Sequence, residues 1–201
     1  MKRLIIGMIM TIALVGGANA QNAQLFTVPG TADPWLANAT VDYNADIGYL
    51  DTAPGESPVF AGDVTGGDTL SWTATGAVGS YPGDYWGGGP DGNGVETTRA
   101  WGNNGIQNIV APDDALLGLF TGSSSFSDQV PFIMGSSGQT TVPDGATEFF
   151  TGVMHSALWN IGQGSFQVNL EISPVPEPST IALVVSGLAA LATIRCRINQ
   201  R

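Results

Sequence analysis

Residues 165–172 read Ser-Phe-Gln-Val-Asn-Leu-Glu-Ile, so that Phe166, Val168, Leu170 and Ile172 alternate strictly with polar neighbours. A period of two puts the apolar side chains on one face of an extended strand and leaves the other face polar. Residues 69–75 repeat the pattern, with Leu70, Trp72 and Ala74 on one side. Strands of this kind need a second layer over their apolar face, and nothing in 21–174 carries a sustained 3.6-residue apolar period that would make it a helix. Shorter runs rich in β-branched and aromatic residues recur at 24–28, 106–110, 115–120, 131–134, 147–150 and 153–159. Turn signals separate them: Pro29-Gly30, Gly66-Gly67-Asp68, Pro112-Asp113-Asp114, Gly135 to Gly138 and Pro143-Asp144-Gly145. This pattern predicts an all-β sandwich. Residues 42–58 are then an acidic surface loop, and 76–105 a long loop whose glycines help bring the chain's total to 28, about twice the usual ~7 %.

The two ends differ from this body. Lys2 and Arg3 precede the apolar stretch 4–15, and Ala18-Asn19-Ala20 follows as a small-residue cleavage site. That order predicts a secretory signal peptide over 1–20, with Gln21 as the first mature residue. At the other end, Val175-Pro176-Glu177-Pro178-Ser179 is followed by an apolar run over 180–194 and then by Arg195, Arg197 and Arg201. The prolines bar a helix from running through the motif. A membrane helix can begin at Ser179 or Thr180, both good N-caps, and the arginines stop it on the cytoplasmic side. The run from Thr180 to Ile194 holds 15 residues, about 22 Å of helix against a hydrocarbon core of roughly 30 Å. A span that short suits a transient sorting handle better than a permanent anchor. The domains expected are therefore 1–20, 21–174 and 175–201.

With both ends set aside, Arg99 is the only basic residue of 21–174, against sixteen of the chain's 17 acids, a formal charge of −15. Such a body repels nucleic acid and anionic headgroups, and it can attract divalent cations. The single cysteine, Cys196, lies in the tail, so the body has neither a disulfide nor a thiol nucleophile. His155 is the only histidine, and no serine sits in a Gly-x-Ser-x-Gly elbow. Asp113 and Asp114 would point to opposite faces of an extended chain, a poor acid–base couple. A non-enzymatic protein is expected.

Two families are echoed. The ordered motif, apolar span and arginine cluster of 175–201 resemble the PEP-CTERM sorting signal of Gram-negative exported proteins. That resemblance implies an exosortase-like membrane protease as partner, transient residence in the inner membrane, and delivery to the envelope or extracellular matrix, where these systems accompany polysaccharide production. Residues 64–172 resemble the PA-IL-type lectin domain, a galactose-binding, jelly-roll-like β-sandwich. The pieces are Gly67-Asp68-Thr69-Leu70, Gly79-Ser80-Tyr81 ahead of the Trp86 to Gly92 loop, Ala115 to Gly122, and Gly164 to Leu170. The resemblance implies a calcium ion between a tyrosine loop and an Asp/Asn-rich loop before the closing strand. Tyr81 matches the tyrosine, and Ca²⁺ favours oxygen ligands. The second loop departs from the family's pattern: His155 to Gln163 offers Asn160, with Ser156 beside it, and no carboxylate.

Two routes to a sugar remain open. One is calcium held by Tyr81 and Asn160. The other needs no metal and stacks Tyr85, Trp86 and Trp101, with Tyr81, on the apolar face of a pyranose ring. The expected function is an exported envelope or matrix protein, processed by an exosortase-like system, with carbohydrate binding by the sandwich. The alternative is a structural acidic matrix component with no specific ligand.

Overall fold

The computed structural model describes residues 22–44, 49–79, 87–98, 104–123, 129–155 and 158–175, together with residue 187. The expected signal peptide, the apolar span apart from residue 187, and the tail arginines lie outside these residues. Between residues 22 and 175 the described chain is all-β, with two single-turn 3-10 helices at Pro34–Leu36 and Trp159–Ile161. No described helix is long and apolar enough to cross a membrane.

The strands are β1 (Asn22–Pro29), β2 (Val41–Asn44), β3 (Tyr49–Thr52), β4 (Val59–Asp63), β5 (Thr69–Gly79), β6 (Glu96–Thr98), β7 (Val110–Pro112), β8 (Leu116–Gly122), β9 (Phe132–Ile133), β10 (Ser137–Thr141), β11 (Ala146–Val153) and β12 (Gln163–Ser173). One four-stranded antiparallel sheet runs β1-β12-β5-β10, and a second runs β4-β11-β8-β9. The two alternating segments pair with each other at the centre of the first sheet, Leu170 opposite Trp72 and Val168 opposite Ala74. Their apolar faces meet Leu116, Phe120, Phe149 and Val153 of the second sheet in one shared core, the arrangement of a β-sandwich.

Strand β8 is buried on both faces. Leu116 and Phe120 enter the core between the sheets, whereas Leu117 and Leu119 turn outward into a second core with Trp35, Phe150, Met154 and Trp159. That outer core is roofed by the 3-10 turn at Trp35 and by residues 106–111. Trp35 Nε1 donates to the Gln107 carbonyl at 3.1 Å, and Asn104 Nδ2 donates to the Trp35 carbonyl at 2.8 Å. An unbroken apolar run is the mark of a strand covered on both sides.

Four local expectations are corrected. Residues 42–58 are not simply a surface loop, because β2 and β3 pair there and bring Asp42 opposite Asp51. The expected turn at 135–138 gives way at Ser137 to β10, an edge strand on β5. Gly138 is needed there, since a Cβ would stand 2.5 Å from the Trp72 ring. In place of a strand at 106–110, only Val110–Pro112 pairs, because the preceding residues are spent covering Trp35. The run at 153–159 leaves the sheet after Val153 and folds into the second 3-10 turn.

Candidate functional site

The register of the central pair decides which loops meet. Gly79, at the end of β5, lies opposite Gln163, at the start of β12. The chain therefore leaves β5 and enters β12 at neighbouring points of the sheet. Residues 87–90 rest against β5 and β8: Val78 N donates to Gly88 O at 3.0 Å, and Leu116 N donates to Pro90 O at 2.9 Å. Residues 87–95 thus lie across the turn between β7 and β8.

That turn carries Asp113 and Asp114. Asp114 adopts a left-handed conformation with φ 66°, which aspartate tolerates better than most residues. The kink overturns the expectation that the two carboxylates diverge, because the alternation rule holds only for extended backbone. Both turn toward His155, whose Nδ1 is 3.4 Å from Asp114 Oδ1 and 3.7 Å from Asp113 Oδ1. His155 and Asp114 are fully buried, while Asp113 is 22 % exposed and forms the rim.

Every wall of this cluster is tied down. Asp114 N donates to Met154 O and Met154 N to Ala115 O, each at 2.8 Å, which fixes the turn to the end of β11. Asp114 Oδ2 accepts from Gly88 N at 3.3 Å and from Asn93 Nδ2 at 3.2 Å. Asp113 N donates to Val95 O at 2.7 Å and its carbonyl accepts from Asn93 N at 2.9 Å. Across the cluster, His155 Nε2 lies 3.1 Å from Gly30 O. Gly30 is itself wedged against β12, donating to Gly164 O at 3.0 Å. Trp159 closes one side, its ring 5.8 Å from the imidazole and its Nε1 donating to Val153 O at 2.9 Å.

A second group lies by the first 3-10 turn. Asp33 caps that turn, its Oδ1 accepting from Trp35 N at 2.9 Å. Asp42 and Asp51 reach it from the β2–β3 ribbon, and all three are buried, with ligand oxygens within 4.8 Å of one another. Either group, Asp33-Asp42-Asp51 or Asp113-Asp114-His155, could hold a metal ion.

Of the residues expected to contact a ligand, Asn160 is described: it is exposed on the turn Trp159–Ile161, next to the tryptophan that flanks His155. Tyr81, Tyr85, Trp86 and Trp101 lie outside the described residues, as do Ser156, Pro176 to Ser179 and the tail arginines. Val175 is described and exposed, and its N–H donates to Asp68 Oδ1 at 3.3 Å. The sequence reading passed over the Asp113-Asp114-His155 cluster. Its available signal was Pro112 ahead of two aspartates, a turn sequence that should have cancelled the extended-chain argument.

No family model matches the chain, and no curated protein matches it significantly. Among solved structures the chain is similar to the N-terminal domain of EclA, described as a PllA-like lectin, at 12 % identity. The match covers 74 % of this chain and 95 % of that one, with a TM-score of 0.42.

Proposed function

We propose that this is an exported, non-enzymatic β-sandwich protein that binds carbohydrate at the end of the sandwich where the loops after β5 and before β12 emerge together. The pairing of Gly79 with Gln163 carries this reading. Tyr81, Tyr85 and Trp86 follow Gly79 closely in the chain, and Asn160 shortly precedes Gln163. Aromatic faces beside polar loop atoms are what a pyranose ring requires, apolar contact on one side and hydrogen bonds at its edge. The buried cluster ties down Gly88, Asn93 and Trp159, and a rigid footing of that kind lowers the ordering cost of binding. A calcium-dependent form of the same binding would draw on Tyr81 and Asn160.

Export is part of the proposal. It rests on the leader pattern of 1–20 and on the 175–201 tail, which resembles an exosortase substrate of a Gram-negative envelope. A glycan array probed with and without EDTA tests the ligand. Signal lost with EDTA supports the calcium route, and signal kept in EDTA supports aromatic stacking. No signal in either condition leaves the structural acidic matrix component as the better reading.

A further inference from the structure

We propose that Asp113, Asp114 and His155 bind a divalent transition ion of the zinc class, independently of any sugar and of the calcium route through Asn160. The argument starts with the imidazole. A backbone carbonyl only accepts, so the 3.1 Å contact to Gly30 O places a proton on His155 Nε2. In the neutral ring Nδ1 is then the lone-pair atom, and it is the atom that faces the two carboxylates. A lone pair turned toward two carboxyl groups calls for a proton among them, on Nδ1 or on a carboxyl oxygen, or for a metal ion.

The separations favour the metal. A charge-assisted N–H···O⁻ bond closes to about 2.7–2.9 Å, shorter than the 3.4 and 3.7 Å observed. Two ligand atoms each about 2.0–2.1 Å from a tetrahedral ion stand about 3.4 Å apart, which fits the Asp114 contact, with a wider angle toward Asp113. The outer side of the ligands is arranged as metal sites arrange it. His155 gives its other N–H to a carbonyl, and Asp114 Oδ2 accepts from Gly88 and Asn93 while Oδ1 faces the ring. Such contacts set the tautomer and aim the ligand atoms.

The donor set decides the ion. One imidazole nitrogen with two carboxylates suits zinc and its neighbours. Calcium takes six to eight oxygens and gains little from a nitrogen. Asp113, the partly exposed member, marks the side from which an ion would enter.

The test uses the untagged full-length protein in mild detergent, stripped with EDTA, dialysed, and titrated calorimetrically with ZnCl₂ and separately with CaCl₂. The expected result is one Zn²⁺ per chain, no displacement by tenfold excess Ca²⁺, and at least tenfold weaker binding in Asp113→Asn and His155→Gln. Asp113 sits at the rim, so its variant should keep its fold by circular dichroism even where the buried histidine variant does not. Zinc affinity unchanged in Asp113→Asn would overturn the site, and so would a preference for calcium. A ¹⁵N spectrum of the metal-free wild type showing both ring nitrogens protonated, together with no zinc uptake, would make the cluster a buried ion triad. The readout is zinc alone, so a silent glycan array would leave it untouched.

Discussion

Leu117 tests whether the outer core is a true core. It is fully buried on the face of β8 that turns away from the other sheet, sharing its cluster with Trp35, Met154 and Trp159. A simple two-layer sandwich would leave that face to solvent, where Leu→Ala costs within about 0.5 kcal/mol. Here the substitution removes a side chain whose transfer is worth about 1.5–3 kcal/mol and adds a cavity that the surrounding tryptophans cannot easily fill. The expected cost for Leu117→Ala is therefore about 2–5 kcal/mol. At about 2–4 °C per kcal/mol for a domain of this size, the melting temperature should fall by about 4–20 °C. Leu116→Ala, on the opposite face of the same strand, provides the inner-core reference and should cost about as much. Thermal unfolding followed by tryptophan fluorescence reads both variants, because Trp72 reports on the inner core and Trp35 and Trp159 on the outer. A Leu117→Ala protein that melts within 1–2 °C of wild type, beside a Leu116→Ala protein that does not, would refute the two-core architecture.

Gly88→Ala should lower stability by about 1–3 kcal/mol through overpacking, because the new Cβ would stand 2.6 Å from Asn93 N and 2.9 Å from Asp114 Cβ. Calorimetric melting checks it, and an unchanged melting temperature would mean that residues 87–95 do not lie against the turn. Replacing Pro176-Glu177-Pro178 with three alanines should leave a full-length, membrane-held protein. Immunoblots of fractionated cells read the result, and unchanged processing would remove the motif as the recognition element.

The inner core was legible because its strands obey a single rule. Alternation at 69–75 and 165–172 gives the faces, and the structure adds that those two segments pair directly. The outer core was not, because β8 has no alternation to read: Leu116, Leu117, Leu119 and Phe120 follow one another, and a run of that kind does not say which faces are covered. Its roof comes from Trp35 and Ile106, more than seventy residues apart in the chain, and neither lies in a periodic segment. Asp42 and Asp51 misled for a related reason. Acidic residues among turn signals read as solvated surface, and only the pairing of β2 with β3 shows them buried. His155 posed the sharpest difficulty, because a lone histidine carries no spacing; its four neighbours come from three separate stretches, Gly30, 113–114 and Trp159.

The geometry also links the two halves of the proposed function, sorting and binding. Strand β12 begins at Gln163 beside the candidate site and ends at Ser173, opposite Thr69. Eleven residues of antiparallel strand extend over about 34 Å, so the chain leaves the body at the far end from the cluster. There the exit is held: Asp68 takes a hydrogen bond from Thr65 N at 2.9 Å through one oxygen and from Val175 N at 3.3 Å through the other. Val175, the first residue of the motif, is therefore tied to the body. Were the tail handled at a membrane, as proposed, the loops around Asn160 would stand about one strand length from Val175.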